Sequence, residues 1–380
     1  MKIHKKTIGI IGGGQLGMML TESAKKLSEY ISDIIVLDPT NNCPASNVGA
    51  KQIIANYDDE NAIYELAKKS DIITYEIETG NVETLHKLEK SIEINPSPQS
   101  LQIIQDKFKQ KKFLAKNKLP VPEFDDINTF TEFKTKSTQI GFPLMIKARR
   151  GGYDGRGNTL IKSNDNITKK ISSNTFFLEK IIDFKMEVSV IVVRNIQGDI
   201  ITYPTVENIH YENILRMTIA PARIQKNILD QAQKIATNAI KCFSGAGVFC
   251  VEMFITKNNN ILINEIAPRV HNSGHHTLQS SSTSQFEQHL RAILGLRLGS
   301  TKLLHKTIMY NILGPKNFQG KFKPISINKS GIFVKMYNKH ISKPLRKLGH
   351  MNIIMSDENN IDSLFQKFES IKELTLIRPL

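Results

Sequence analysis

The 380-residue sequence predicts an α/β domain built on a parallel sheet, followed by a larger α+β unit and a small β-rich tail. Three observations carry this expectation. Short apolar runs alternate with helix-length stretches across residues 7–100. The prolines of "LPVP" interrupt the chain just beyond residue 117. From residue 142 onward, strand-length runs closed by Asn or Gly dominate. The expected units are residues 1–104, 105–298 and 299–380.

In the first unit "IGIIG", "DIIVLD", "DIITYE" and "IEINPS" read as strands, with "GMMLTESAKKL", "NAIYELAKKS" and "VETLHKLEKS" as the helices between them. Repeated β-α order implies a parallel sheet flanked by helices. Residues 101–117 read as one basic helix. In the second unit "FPLMIKA", "NTLIKS", "TFFLEKII", "EVSVIVV", "DIITYP", "GVFCVEMFIT" and "NILINEIA" read as strands, mostly antiparallel, with a helix over 228–243. The tail holds the strands "TIMYNIL", "GIFVKMY" and "HMNIIM", then a helix near 361–371.

Composition narrows the function classes. At 40% hydrophobic residues the chain is that of an ordinary globular protein. Its apolar runs fall far short of the roughly 20 residues needed to span a bilayer. The start "MKIHKKTIGII" has no small-residue cleavage site, so no secretory signal and a cytoplasmic location are expected. Cys43, Cys242 and Cys250 are odd in number and match no C-x-x-C spacing, against a disulfide framework or zinc site. The formal charge of +15 comes without a basic tail or an aromatic-interleaved stripe, against nucleic acid. Such an excess suits small phosphorylated ligands, which it attracts at long range.

The first motif is "IGIIGGGQLGMML". Gly12, Gly14 and Gly17 fit G-x-G-x-x-G after an apolar run, and Asp38 ends the next such run, about where a ribose-binding acid of a dinucleotide site would stand. Two readings are open: a dinucleotide cradle, or glycines that only let strand and helix pack closely. The second motif, "KARRGGYDGRGN", places Gly151, Gly152, Gly155 and Gly157 between two strand-like runs. A loop this rich in glycine can turn successive N–H groups onto phosphate oxygens, with Lys147 and Arg156 supplying charge. A plain flexible hairpin is the competing reading.

Third, "GVFCVEMFITKNNNILINEIAPR" reads as a hairpin turning around Asn258 and Asn259, which sets Glu252 opposite Glu265 on one face. Opposed carboxylates repel unless a cation sits between them, and hard oxygen ligands suit Mg²⁺ bridging nucleotide phosphates. An odd-length turn would break this register, and a solvated pair is the competing reading. Next, "APRVHNSGHHT" crowds Arg269, His271, Asn272, His275 and His276 together. Adjacent strand residues point to opposite faces, so the two neighbouring histidines do not make a zinc site, and binding of an anionic substrate is expected instead.

With these motifs in this order the chain resembles the ATP-grasp ligases. Within them it is most similar to the N5-carboxyaminoimidazole ribonucleotide synthases, ATP-dependent carboxylating enzymes of microbial purine biosynthesis. The resemblance runs from "GGGQLG" through "TYEIE", "GGYDGRG" and "INEIAPRVHNSGHHT" to "RKLGHMN". It implies an ATP-grasp fold with a Rossmann-like N-terminal domain that serves the ribonucleotide and holds no NAD. A small β-rich C-terminal domain completes the ribonucleotide site.

The resemblance further implies an ATP site of Lys107, Lys147, Gly152, Tyr153, Asp154, Gly155, Arg156 and Gly157. Glu179 would stand at the ribose or adenine, the Lys180 and Ile182 backbone at the adenine edge, and Glu187, His210 and Asn264 would complete the lining. Glu252 and Glu265 would hold Mg²⁺. The family commonly has Arg at the Lys107 position, and Lys keeps the charge but loses bidentate phosphate binding. Gln15, Leu16, Glu76, Asn272, Lys339, Arg346 and Lys347 would contact aminoimidazole ribonucleotide, while Arg269, His271 and Asn272 would hold bicarbonate or carboxyphosphate. A homodimer is also expected. Rival readings are another ATP-grasp ligase, such as formate-dependent glycinamide ribonucleotide transformylase or a biotin carboxylase, an NAD-dependent oxidoreductase, and a silent nucleotide-binding scaffold.

Overall fold

The computed structural model describes residues 4–152, 157–163, 175–355 and 361–380. β1 (Lys6–Ile11), β2 (Ile31–Leu37), β3 (Lys51–Ile53), β4 (Ile72–Tyr75) and β5 (Glu93–Ile94) form a parallel sheet in the order β3-β2-β1-β4-β5. Helices α1 (Gln15–Ala24), α2 (Glu60–Lys68) and α3 (Val82–Leu88) connect the strands. Ile8, Ile10, Val36 and Ile73 are fully buried, as strands covered on both faces require. Strand β3 is three residues long and contains no apolar run, so periodicity had nothing to register there.

The basic helix expected over 101–117 is two helices, α4 (Pro98–Ile104) and α5 (Lys107–Lys116). Asp106 breaks it. Its Oδ1 accepts the Lys109 N–H at 3.0 Å, capping α5, and its carboxylate also takes the Arg149 guanidinium at 3.1 Å. A carboxylate read as a helix-interior residue is the start of a new helix, and Lys107 therefore stands in the first turn of α5.

β6 (Phe124–Ile127), β7 (Leu144–Ala148), β8 (Asn158–Ile161) and β9 (Phe176–Lys180) form an antiparallel sheet in the order β6-β9-β7-β8, with α6 (Phe130–Ile140) leading into β7. The main sheet begins with β10 (Phe184–Arg194), β11 (Ile200–Thr202), β12 (Val206–Tyr211) and β13 (Ile214–Ala220). After α7 (Lys226–Lys241) it continues with β14 (Gly247–Thr256) and β15 (Ile261–Ala267). Helices α8 (Thr277–Ser280) and α9 (Gln285–Ile293) follow.

The β12–β13 hairpin escaped the sequence reading: polar residues interrupt the apolar ones in β12, and the apolar run of β13 was passed over with it. Its turn residues Glu212 and Asn213 have φ of 52° and 61°, the pattern of a type I′ turn, and the asparagine is the one local clue. The tail strands β16 (Lys306–Leu313), β18 (Ile332–Met336) and β20 (Lys347–Met355) join this same sheet through β13, in the order β15-β14-β10-β12-β13-β16-β20-β18. β17 (Gly320–Lys321) and β19 (Ile341–Ser342) pair as a short ribbon, and α10 (Ile361–Glu369) covers β16 and β20.

Helix α9, also unanticipated, packs between α1 and β14 and buries Phe286, Leu290 and Ile293. Each such side chain contributes about 1.5–3 kcal/mol. His289 of α9 ties the two sheets together: its ring lies 2.8 Å from Thr74 Oγ1 of β4 and accepts the Val248 N–H of β14 at 3.1 Å. The carboxyl ends of β1 and β4 are thereby set beside the start of the β14–β15 hairpin.

Candidate active site

At the N-terminal turn the chain's own carboxylates occupy the backbone donors. Gly12 has φ +103°, which favours glycine, and a Cβ there would lie 2.6 Å from Glu76 Cγ. Asp38 Oδ2 accepts the Gly13 N–H at 2.9 Å, and Glu76 Oε1 accepts the Gly14 N–H at 2.8 Å. These are the N–H groups a dinucleotide pyrophosphate would use at a helix N-terminus. Asp38 is only 3% exposed and also holds Thr40 N–H and Tyr57 OH, so it offers a ribose nothing. NAD is expected to show no saturable binding by calorimetry at micromolar concentrations; a measurable isotherm would overturn this.

Helix α5 presents Lys107, Gln110 and Lys111, spaced i, i+3, i+4, toward β15. Lys111, which sequence reasoning missed, is 2% exposed; its Nζ lies 2.8 Å from Glu179 Oε2 and donates to the Ile263 carbonyl at 3.1 Å. Lys147 of β7 reaches Glu179 Oε1 at 2.5 Å. Burial lowers the Lys111 pKa to about 8 against the pull of Glu179. For Glu179 burial works the other way, and the two ammonium groups outweigh it to hold the carboxyl below its usual range. Glu179 is therefore first the counterion of two lysines. Glu179→Gln leaves both without it, and a loss of about 3–5 kcal/mol is expected in denaturant unfolding. An unchanged midpoint would remove the ion cluster from the stability of this site.

Glu252 and Glu265 stand opposite one another, but not by the symmetric turn expected. Ile255 pairs with Ile261, and the intervening loop, 256–260, is centred on Asn258 alone. That odd-length turn would set Glu252 against Asn264. A bulge between Met253–Ile263 and Glu252–Glu265 inserts Asn264 and restores the pair. Two consecutive residues of β15 consequently reach basic partners: Asn264 Oδ1 accepts from Lys147 at 3.3 Å, and Glu265 Oε2 from Lys107 at 2.6 Å.

Seclusion and the charge of Glu265 push the Glu252 carboxyl upward, while Lys107 holds Glu265 down against burial. Among the described residues no three His, Cys, Asp or Glu side chains are arranged to hold a metal. Two carboxylates with an amide oxygen beside them supply the hard oxygen donors that would suit Mg²⁺.

The stretch after β15 is not a strand. Residues Asn272–Gly274 form a 3₁₀ turn that leads through His275 and His276 into α8. His275 and His276 are 1% and 0% exposed, packed in the core rather than beside the carboxylates as the sequence reading had them. His275 packs against His350 at 4.8 Å between ring centroids, the rings tilted by 36°, and His276 contacts Ser280 Oγ at 2.7 Å. Arg269, His271 and Asn272 do face the site. Arg269 pairs with Glu78 at 2.9 Å, and His271 Nε2 lies 3.4 Å from Glu252 Oε1. Both polar side-chain atoms of Asn272 are buried without a hydrogen-bond partner among the described residues. His210 contacts Glu187. Burial opposes the imidazolium there, but Glu187 overrides it and raises the His210 pKa.

On the far side of Arg269, Lys339 Nζ donates to Gln15 Oε1 and to the Lys347 carbonyl, both at 2.8 Å. Burial, with Arg346 and Lys347 nearby, lowers its pKa to about 7. Arg346 Nη1 donates to the Ile341 carbonyl at 3.0 Å. Burial raises the Glu76 pKa to about 7, partly offset by the Gly14 N–H and Arg269. Leu16 is 7% exposed. Gln15, Glu76, Lys339, Arg346 and Lys347 thus share one basic recess, although Leu16 is largely core.

Comparison with known proteins bears on this arrangement. The family description "Ribonucleotide synthetase preATP-grasp domain" matches residues 5–105, "ATP-grasp domain" 112–286, and "Phosphoribosylaminoimidazole carboxylase C-terminal domain" 307–363. The N5-carboxyaminoimidazole ribonucleotide synthase of Bacillus subtilis is 39% identical over 93% of this chain and 92% of its own length. The chain belongs to this synthase family. The crystal structure of the Thermotoga maritima synthetase superposes with a TM-score of 0.88 at 40% identity, covering 99% of this chain and 100% of that one. The Aspergillus clavatus synthase, solved with ADP and 5-aminoimidazole ribonucleotide, superposes with a TM-score of 0.88 at 33% identity, covering 98% of each chain.

Set within the synthase family, several residues stand out as ones the sequence reading left unmarked. Gln110 clamps β15 by donating to the Ile266 carbonyl at 3.1 Å and accepting the Ile266 N–H at 2.8 Å. The helical spacing of Gln110 and Lys111 from Lys107 was the signal available for both. Glu78 and the Arg149–Asp106 pair had none, since long-range partners leave no local pattern. Of the glycine loop, Gly151, Gly152 and Gly157 are described, and Gly157 has φ +83°, where a Cβ would lie 2.8 Å from that of Ala148. Tyr153, Asp154, Gly155 and Arg156 lie outside the described residues.

Proposed function

We propose that this chain carboxylates 5-aminoimidazole ribonucleotide with bicarbonate at the expense of ATP, giving N5-carboxyaminoimidazole ribonucleotide, ADP and phosphate in purine biosynthesis. One observation carries the reading. Arg269 follows β15, the strand of Glu265, and pairs at 2.9 Å with Glu78, two residues from Glu76, so it stands between the carboxylate pair and the ribonucleotide side. A single group at that junction can hold the small anion that passes from one to the other.

ATP lies along Lys107, Lys147 and the glycine loop, with Glu187, His210 and Asn264 around it. The Lys180 N–H already donates to the Glu123 carbonyl at 2.8 Å, and the Ile182 carbonyl accepts from Phe184 at 3.0 Å. What this strand end offers adenine is therefore the Lys180 carbonyl as acceptor and the Ile182 N–H as donor. Glu252 and Glu265 would hold Mg²⁺, which would offset charge on the transferring phosphoryl group. A bicarbonate oxygen bonds the γ-phosphorus as the bond to ADP breaks. Carboxyphosphate then releases carbon dioxide and phosphate, and the exocyclic amine bonds the carbon and loses a proton. Arg269, His271 and Asn272 hold the carboxylate, while Lys339, Arg346 and Lys347 hold the 5′-phosphate.

Residues 1–104, 105–298 and 299–380 act as substrate, nucleotide and completing units in a cytoplasmic homodimer. ADP release should require both aminoimidazole ribonucleotide and bicarbonate. Release that is indifferent to them, or that responds instead to glycinamide ribonucleotide with formate, would overturn the reading.

A further inference from the structure

Behind His271 runs a chain of buried side chains that the reaction scheme does not use. Thr218 Oγ1 of β13 donates to Asn208 Oδ1 of β12 at 3.0 Å. Asn208 Nδ2 donates to Ser189 Oγ of β10 at 2.9 Å, and Ser189 Oγ donates to Ser273 Oγ at 2.8 Å. Ser273 Oγ in turn lies 2.9 Å from His271 Nδ1. Thr218, Ser189 and Ser273 are fully buried and Asn208 nearly so. Four polar groups taken from water in a connected row stay fixed only if each is satisfied.

The direction of this row follows from counting protons. A hydroxyl has one hydrogen to donate. Ser189 receives that of Asn208 and directs its own to Ser273, which leaves the Ser273 hydrogen for His271 Nδ1 or for Cys250 Sγ, 3.7 Å away. The backbone fixes the state of Nδ1 whichever it takes: the Ser273 N–H points at Nδ1 from 3.3 Å, and an amide N–H can only donate. Nδ1 must present its lone pair. The single proton of the neutral ring then sits on Nε2, which faces Glu252 Oε1 from 3.4 Å.

We infer that Ser189, Asn208, Thr218 and Ser273 are positioning residues that hold His271 as the Nε2–H tautomer, so that it meets the reacting carboxylate as a hydrogen-bond donor and takes no proton from the amine. The identity of that carboxylate rests on the proposed function; the tautomer does not.

The full chain labelled with ¹⁵N-histidine tests this, because ring nitrogen shifts separate a protonated from an unprotonated nitrogen. The His271 signals are those lost in His271→Gln. Near neutral pH the wild-type protein should show an unprotonated Nδ1 and a protonated Nε2. In Ser273→Ala the backbone N–H of residue 273 still donates to Nδ1, so both nitrogens should move only part of the way toward the average of two tautomers, and kcat should fall by up to about tenfold, the worth of the one hydrogen bond removed, with the KM for ATP unchanged. A merely structural role would lower stability and leave the ring signals in place. A protonated Nδ1 in the wild-type spectrum overturns the inference whatever Ser273→Ala does. The spectrum needs no turnover, so a protein that shows it yet releases no ADP on aminoimidazole ribonucleotide and bicarbonate would instead contradict the proposed function.

Discussion

Glu265→Gln should nearly abolish ATP cleavage while leaving the fold intact. The substitution keeps size and shape but removes one of two opposed carboxylate charges, and with it half of the protein's anionic contribution to the proposed Mg²⁺ site. The amide oxygen still accepts a hydrogen bond from Lys107, now 2.6 Å from Glu265, so the local geometry has no cause to collapse. The Glu265 side chain is 40% exposed, which keeps the structural cost small. The transition state carries the loss, because charge on the transferring phosphoryl group is offset there and hardly at all in the free protein. A fall in kcat of roughly 100- to 1000-fold is expected, the scale of losing one such electrostatic contact in an active site. Coupled ADP release, measured across a magnesium titration beside a thermal melt, checks both halves. Wild-type turnover at limiting magnesium would remove Glu265 from the metal site.

That Glu252 faces Glu265 was legible in the sequence for a reason only partly right. The two residues are equidistant from a two-residue turn, whereas the real loop is odd and a bulge at Asn264 compensates. Counting reproduces the sum of two offsetting irregularities but cannot see either. The bulge matters to the site, since it sends Asn264 and Glu265 toward two different lysines where an unbulged strand would alternate faces. Continuous apolar runs were readable to the residue, as "GVFCVEMFIT" became Gly247–Thr256. The β12–β13 hairpin, whose β12 mixes polar with apolar residues, was not, yet it supplies His210, Asn208 and Thr218.

Side chains whose partners are distant in sequence were the least legible. Lys111 looks like one more lysine in a lysine-rich helix until Glu179, brought in by β9, closes over it. The adjacent histidines misled for the complementary reason: their polarity suggested a site, while a helical turn carries both into the core.

The tail offers the sharpest test of the ribonucleotide side, because Arg346 and Lys347 were placed there by resemblance to the family. Arg346 donates to the Ile341 carbonyl with one terminal nitrogen, which fixes the guanidinium without satisfying its five donors. Lys339 is held to Gln15 and to the Lys347 carbonyl, so the N-terminal turn and the tail close on the same recess. Burial lowers the Arg346 pKa, a cost that an incoming phosphate dianion would relieve. Arg346→Ala should therefore remove a charge-assisted contact of roughly 1.5–3 kcal/mol. That amounts to about 10- to 150-fold in affinity. A contact remote from the reacting amine binds ground and transition states alike, so the loss should fall on the KM for aminoimidazole ribonucleotide and spare kcat. The KM for ATP should scarcely move, since the lysines proposed for ATP stand on α5 and β7. Both constants are to be measured at one fixed salt concentration, because screening weakens half-exposed charges. If ribonucleotide affinity is unchanged in both Arg346→Ala and Lys347→Ala, or if ATP affinity falls instead, the phosphate is held elsewhere and the tail has another role.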